Sequence, residues 1–338
     1  MAGSYAYRLL KLRGDAETEV FDVRRGIACG ITPCGYGVDG RFPGLLRDVG
    51  LDPSRYVLHT PPRLVANVLR VAARTSVFMV DKPAVIADLL DSARVREEPL
   101  DTRRYDLVID ATGAARAYAP PLAHDVKARV VQWRVRVGKP AATTFLPTRS
   151  VPGYAWIMPL STDGREVHVG AGCLSGTRVS PRELTRTAFA PLDVTSVVCA
   201  CGSRIRLSGP EFDRIVAGNV WAVGEAAGFV GPASGAGNVY AMESARELVS
   251  HLGDPDAYVA AVRRRFAALV PEARAVEKVL RGRLPNLFDL YHIRQGWTRA
   301  GVEVAWRDVP ALMFEMRQVF LDGMQRHASA GRTAGLPA

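Results

Sequence analysis

Short apolar runs that end in small-residue turns constrain this chain most strongly. Asp106-Leu107-Val108-Ile109-Asp110 leads into the turn Asp110-Ala111-Thr112-Gly113. Asn219-Val220-Trp221-Ala222-Val223-Gly224 runs into a loop rich in Gly, Pro and Ala, and a helix over Gly237–Leu252 follows. Runs of this kind read as buried parallel strands, which need helices on both faces of the sheet. The expected class is α/β.

The rest of the chain fits that frame in three stretches. Gly3 to Leu12 has apolar positions recurring at three and four, as in an amphipathic helix, and Gly14 ends it. A short strand, Glu19–Val23, follows, and a glycine-rich loop runs from Cys29 to Gly40. The chain then alternates: a strand near Tyr56–His59, a helix near Pro62–Arg74, an extended piece near Val77–Val80 and a helix over Pro83–Ala93. Val130–Val137 alternates and Glu166–Gly172 is extended, so an antiparallel sheet is expected as an α+β insert between about 126 and 176. After Asp254 the reading is helical to about residue 328, broken at Pro271, Pro285 and Pro310, and the tail from Ala328 is small and polar.

Composition excludes several classes. At 338 residues and 48% hydrophobic, the chain can bury a core without staples. The net charge of +10 is carried almost wholly by arginine, with five lysines. It either attracts acidic partners or reflects arginine used as a general surface cation. No dense basic run interleaved with aromatics is present, which argues against nucleic acid as a partner. Cys29 and Cys34 flank the glycine-rich loop and Cys199 and Cys201 lie two apart; neither pair has zinc-ligand spacing with a matching pair, so no metal site is expected. Without a signal peptide or a membrane-spanning apolar run, the protein is expected to be cytoplasmic with its thiols mostly reduced.

A dinucleotide fingerprint requires a strand, a glycine turn, a helix whose N-terminus faces a pyrophosphate, and an acid about twenty residues on. The first helix is here. Gly3 stands where the third glycine of G-x-G-x-x-G would stand, nineteen residues before the acid Asp22. The strand and the first two glycines have no counterpart, so the domain is expected to lack its first strand. Either the start was assigned to an internal methionine, or this is an ordinary N-terminal helix.

Four segments in order carry a resemblance. After the helix and Asp22 comes Pro33-Cys34-Gly35-Tyr36-Gly37, then Ala111-Thr112-Gly113. Trp221-Ala222-Val223-Gly224-Glu225-Ala226-Ala227-Gly228-Phe229-Val230-Gly231-Pro232 follows, and then the helix opening Ser234-Gly235-Ala236-Gly237-Asn238. Together these resemble the p-hydroxybenzoate-hydroxylase-like flavoproteins, over roughly residues 2 to 250. Tyr154-Ala155-Trp156-Ile157-Met158-Pro159 with Gly170-Ala171-Gly172 resembles the Y-x-W-x-F-P…G-x-G substrate motif of the geranylgeranyl reductase family, with Met158 in place of phenylalanine.

The resemblance implies a Rossmann-like FAD-binding domain over 1–122 and 200–254, an antiparallel substrate domain over 123–199 and a helical region over 255–338. It implies FAD contacts from Gly3, Asp22, Cys34, Gly35, Lys82, Ala111, Thr112, Gly113, Gly224, Glu225, Gly228, Pro232, Gly235, Ala236, Gly237 and Asn238. Tyr154, Trp156, Pro159, Gly170 and Gly172 would shape the substrate pocket. The implied reaction is reduction of prenyl C=C bonds by hydride from reduced flavin, with NADPH, ferredoxin or another external donor supplying electrons. The substrate would be a prenyl-chain lipid, a free prenyl diphosphate or a quinone side chain. Cys34 is the candidate catalytic proton donor, or a flavin neighbour, or inert packing. Tyr154 and Trp156 are pocket walls or sheet-core aromatics. No histidine has catalytic spacing.

Two other functions remain open at this stage. A monooxygenase or halogenase would share the fold, although a halogenase carries W-x-W-x-I-P and a catalytic lysine. A degenerate flavoprotein would bind no FAD and act as a scaffold; the 338 residues alone are then expected to bind FAD poorly or to fold badly. The apolar stretches Val302–Trp306 and Leu312–Leu321 read as a cap over a lipid tunnel, a peripheral contact with anionic membrane, or plain helix–helix packing.

Overall fold

In a computed structural model of the protein, the described residues are 1–22, 34–66, 71–91, 93–148 and 151–309. The chain opens with helix α1 (Ala2–Arg13), closed by Gly14 in the left-handed region, and strand β1 (Val20–Phe21). Next come β2 (Gly37–Val38), α2 (Phe42–Arg47), β3 (Val57–His59), β4 (Leu64–Ala66), β5 (Val71–Thr75) and β6 (Phe78–Val80). Helix α3 (Lys82–Leu90) starts on the side chain of Asp81, which accepts from the Ala84 N–H. Strands β7 (Val95–Arg96) and β8 (Val108–Asp110) follow, and the chain then enters β9 (Lys127–Val137), β10 (Thr144–Pro147), β11 (Gly153–Pro159) and β12 (Glu166–Leu174). After α4 (Pro181–Phe189), β13 (Val194–Arg206), β14 (Val216–Ala217) and β15 (Val220–Ala222), the remainder is α5 (Asn238–Ser250), α6 (Pro255–Phe266), α7 (Leu269–Leu280), α8 (Leu287–Arg299) and β16 (Val302–Glu303).

The architecture is α/β with a large added sheet, as expected. β8 pairs in parallel with β15, and β1 in parallel with β7. Among the described residues no strand joins β1 to β8; their open edges line a common cavity, with Val20 and Phe21 on one side and Val108 and Ile109 on the other. Tyr105 spans the gap at one end: its ring meets Phe21 edge-on, with centroids 5.8 Å apart, and its hydroxyl donates to Glu19. Around these strands α1, α5 and α6 bury one core that includes Leu10, Ala222, Phe229, Leu248 and Tyr258.

The second layer is an eight-stranded sheet in the order β13-β9-β12-β11-β10-β4-β5-β16. Its inward side chains, among them Val135, Ile157, Val167 and Val169, pack against Leu184 and Ala188 of α4. β13 runs unbroken across residues 199 and 200. Cys34, Cys173 and Cys201 carry free thiols, whereas Cys199 is disulfide-bonded.

Three sequence expectations are corrected. The helix near Pro62–Arg74 is instead the hairpin strands β4 and β5, because β4 supplies the parallel partner that the edge of β10 needs. Its inward positions Leu64 and Ala73 are buried and apolar, as alternation requires. Pro271 does not break a helix; it sits in the first turn of α7, where its missing N–H has no intrahelical acceptor. Val302–Glu303 is a strand paired with β5, and Val302 and Val304 are buried under Leu64 and Ala73, so this stretch belongs to the sheet and not to a helical packing face. Leu312–Leu321, Pro310, the tail and the first part of the Cys29–Gly40 loop lie outside the described residues.

Candidate active site

One cavity of roughly 2510 Å³ runs between the two layers. Most of the residues singled out in the sequence border it, but they do so in different ways.

On one side the wall is made of helix starts and tight turns. α1 begins at the cavity with no side-chain cap on its N-terminus, and α5 likewise, with Gly237 as its N-cap. Helix N-termini present unpaired N–H groups and a partial positive charge. Gly3 allows α1 to approach the turn after β8: a Cβ there would lie 3.1 Å from that of Ala111. That turn, Ala111-Thr112-Gly113, is held by Asp110, which is fully buried and accepts from the Thr112 N–H and hydroxyl and from the Tyr118 and Ala119 N–H groups.

Glu225 and Asp22 both line the cavity. Burial raises the pKa of Glu225, opposed by the backbone N–H of Arg206, which donates to it at 2.8 Å. Gly224 and Gly228 do not themselves line the cavity; they shape the turn behind it. Gly224 has φ +58° and Gly228 has φ +83°, with its Cα packed on the backbone of Gly209. The Pro232, Gly235, Ala236, Gly237 and Asn238 loop lines the cavity, and its backbone is fixed from outside. Tyr154 donates to the Ser234 carbonyl at 2.5 Å, and the buried Glu272 accepts from the Ala233 N–H at 2.9 Å.

Lys82 opens α3 at the same wall, next to Cys34. Burial pushes the Cys34 thiol up, but the Lys82 charge and hydrogen bonds from the Asn238 side chain and the Tyr36 N–H outweigh it and hold the thiol below its ordinary range. Asn238 therefore uses its amide on Cys34 and on the Gly37 carbonyl. Tyr36 adopts φ +62°, a left-handed conformation that a side-chain-bearing residue enters only under local constraint. Gly35 leaves room for Met158, whose sulfur lies where a Cβ would stand.

The opposite side of the cavity is built from rings. Tyr154 and Trp156 of β11 stand 5.7 Å apart, and Phe145 of β10 and Trp297 of α8 close a cluster with Tyr154, at 5.8 and 6.0 Å. Phe145 and Trp297 are invisible as site residues in the sequence because nothing local marks them. Gly170 lies opposite Trp156 in the β11–β12 register and leaves the space its indole fills; it does not line the cavity, and neither does Pro159 at the end of β11. Gly172, opposite Tyr154, does line it.

Gln132 is a further site residue that the sequence reading omits. It is buried in β9, accepts from the Trp156 indole N–H at 3.2 Å and donates to the Cys34 carbonyl at 3.1 Å, so it ties the ring cluster to the cysteine loop. Nothing local marks it, because it alternates with apolar residues in the same way as Arg134 and Arg136 of the same strand. His168 packs edge-on to Tyr36 at 4.6 Å; burial, helped by Arg134, lowers its pKa to about 3, so it is neutral.

Arg206 joins the two layers. It is 1% exposed, pairs with Asp125 through two nitrogens and donates to the carbonyls of Glu225, Gly113 and Ala114. Among the described residues no cluster of His, Cys, Asp and Glu could hold a metal ion.

On comparison of sequences, no family model and no curated protein matches this chain. Solved structures do. A geranylgeranyl bacteriochlorophyll reductase-like protein from Thermoplasma acidophilum superposes with a TM-score of 0.67 at 16% identity, covering 93% of this chain and 96% of that one. A flavoprotein/dehydrogenase from Cytophaga hutchinsonii gives 0.62 at 13% identity, covering 97% of each. The lanthipeptide tryptophan 5-halogenase MibH gives 0.57 at 15%, covering 96% of this chain and 84% of that one. The chain thus has the fold of FAD-dependent oxidoreductases.

Proposed function

We propose that this protein is an FAD-dependent oxidoreductase that reduces carbon–carbon double bonds of prenyl chains. The observation that carries the reading is the continuity of one cavity, from the uncapped starts of α1 and α5 to the ring cluster of Phe145, Tyr154, Trp156 and Trp297. The first end suits an anionic dinucleotide: two helix N-termini and Lys82 point positive charge into it, and Glu225 and Asp22 offer carboxylates for hydroxyl groups. The second end suits an elongated apolar molecule, because flat rings bury apolar surface at low entropic cost.

The residues present fit FAD, with Gly3, Ala111–Gly113, Glu225 and the Pro232–Asn238 loop as its wall and Gly224 and Gly228 as the backbone behind it. When bound, FAD would supply the hydride for one alkene carbon. The chain supplies the rest. The rings and Gly172 hold the substrate and exclude water. Gln132 keeps Trp156 and the Cys34 loop in register. Cys34 delivers the proton to the second carbon, and Lys82 poises it by keeping its thiol acidic. The electrons come from an external donor such as NADPH or ferredoxin. Among the described residues the sole lysine that lines the cavity is Lys82, beside the cysteine, which disfavours a halogenase that works through a lysine in the substrate pocket.

The test is in two steps. Flavin bands that persist through gel filtration should appear after expression, and the dithionite-reduced protein should reduce one double bond of a geranylgeranyl lipid anaerobically in a single turnover. Substrate-dependent oxygen consumption in place of saturation would establish the monooxygenase reading. A folded, colourless protein that takes up no added FAD would replace both with a non-catalytic role.

A further inference from the structure

Helix α8 presents three different faces. Its start is set by a capping box, in which Asn286 and Asp289 exchange side-chain and backbone hydrogen bonds. One face packs on α7 through Asp289 with Lys278 at 2.5 Å, Gly296 against Glu272, and the Arg299–Glu272 pair. A second face, Leu290, Ile293, Arg294 and Trp297, lines the cavity. The third is open to solvent and apolar: Leu287 is 84% exposed, Phe288 68% and Tyr291 45%, with Leu284 at 65% just before the helix.

The second and third faces are continuous. Leu287, Leu290 or Tyr291, Arg294 and Trp297 follow one another at helical spacing, so a single stripe leads from solvent to the ring cluster. Trp306, 51% exposed, extends the patch under the Arg294 guanidinium, 4.7 Å from its ring centroid. Basic residues flank it. Arg281, Arg283 and Arg307 are all exposed. Of the nearby acids, Glu277 pairs with Arg281 and His124 and Asp289 with Lys278, while Glu303 and Asp308 lie on the Trp306 side, beside Arg307.

We propose that the start of α8, with Leu284 and Trp306, docks on an anionic lipid bilayer. Large apolar side chains held at the surface by a capped helix start and flanked by the exposed Arg283 and Arg307 match an interface whose interior is apolar and whose headgroups are negative. A protein partner would be served by the patch alone. The stripe adds a feature that suits a lipid phase: on one helix the exposed Leu287 is followed by Leu290 and Trp297 of the cavity wall, with Arg294 between them. That role for the stripe rests on the apolar-substrate reading above, but the docking does not, and the test needs neither FAD nor turnover.

The purified full chain is floated with phosphatidylcholine vesicles and with vesicles that also contain phosphatidylglycerol. Co-flotation with the anionic vesicles is expected, weakened by salt, and the double variant Leu287→Glu/Phe288→Glu should lower it by about tenfold or more. Arg283→Glu/Arg307→Glu should reduce binding to the anionic vesicles and leave the weak binding to phosphatidylcholine unchanged. Both variants change exposed side chains, and circular dichroism verifies their fold. Three results would overturn the proposal: no flotation of the unaltered chain, flotation indifferent to Leu287 and Phe288, or a concentration-dependent dimer that the same double variant abolishes, which would assign the patch to a second copy.

Discussion

Around Gly224–Gly228 the site is backbone: glycines at φ +58° and +83°, uncapped helix starts, and a carboxylate held by a main-chain N–H. Around Trp297 it is side chain: four rings brought from β10, β11 and α8, which are up to 152 residues apart between Phe145 and Trp297. Backbone geometry is written into short contiguous stretches, because a tight turn needs particular residues at particular offsets. A ring cluster needs only that some large apolar residue arrive from each element. One half therefore tolerates little change in sequence and the other tolerates many substitutions that preserve volume.

Variants at four residues test that contrast, beginning with the residue that ties the halves together. Arg206→Met removes two bonds to Asp125 and three to the carbonyls of Gly113, Glu225 and Ala114, and is expected to cost about 3–5 kcal/mol, read from denaturant unfolding. A loss below about 1 kcal/mol would mean that the layers are held together by apolar packing alone.

Gly228→Ala places a methyl group against the Gly209 backbone at a positive φ. An expected cost of about 2–4 kcal/mol should accompany loss of flavin from the purified protein. Unchanged stability would show that this turn relaxes, and that the backbone half is less constrained than its geometry indicates.

Trp297→Ala should leave the fold intact and weaken calorimetric binding of geranylgeraniol about tenfold, the effect of losing one well-packed ring. Trp297→Phe should recover most of the binding, since the cluster asks for area more than for an indole. Equal losses in the two variants would refute the volume-tolerant description of this half.

The smallest effect is electrostatic. Lys82 lowers the Cys34 thiol pKa, so Lys82→Met removes that influence and the pH midpoint for iodoacetamide alkylation of Cys34 should move up. A midpoint that stays in place would leave the hydrogen bonds from Asn238 and Tyr36 as the cause of the lowered thiol pKa.

The same contrast explains which features are legible in the sequence. The strands at Val108–Asp110 and Val220–Ala222, α1 ending at Gly14, and α5 opening after Gly237 all stand where the local pattern places them. Pro62–Arg74 reads as a helix in the sequence because periodicity over a few small apolar residues does not separate a helix from a hairpin; the open edge of β10 decides it. Gln132 is one of several polar residues in its strand, and its meaning depends on Trp156 and Cys34 arriving on either side of it. Gly170 and Pro159 belong to a recognisable motif, but the register places Gly170 behind Trp156 and leaves Pro159 at the end of its strand.

By itself, then, the sequence determined the elements whose causes are local: where helices start and stop, which turns need glycine, and which short runs are buried strands. Tertiary structure alone decided which rings share a cavity, that Arg206 is buried as a link between layers and Glu272 as a link from α7 to Ala233 and Arg299, and that α8 turns one face inward and leaves another in solvent. The physical reason is range. Backbone sterics and capping act over a few residues, whereas burial and ring contacts depend on where distant segments come to rest.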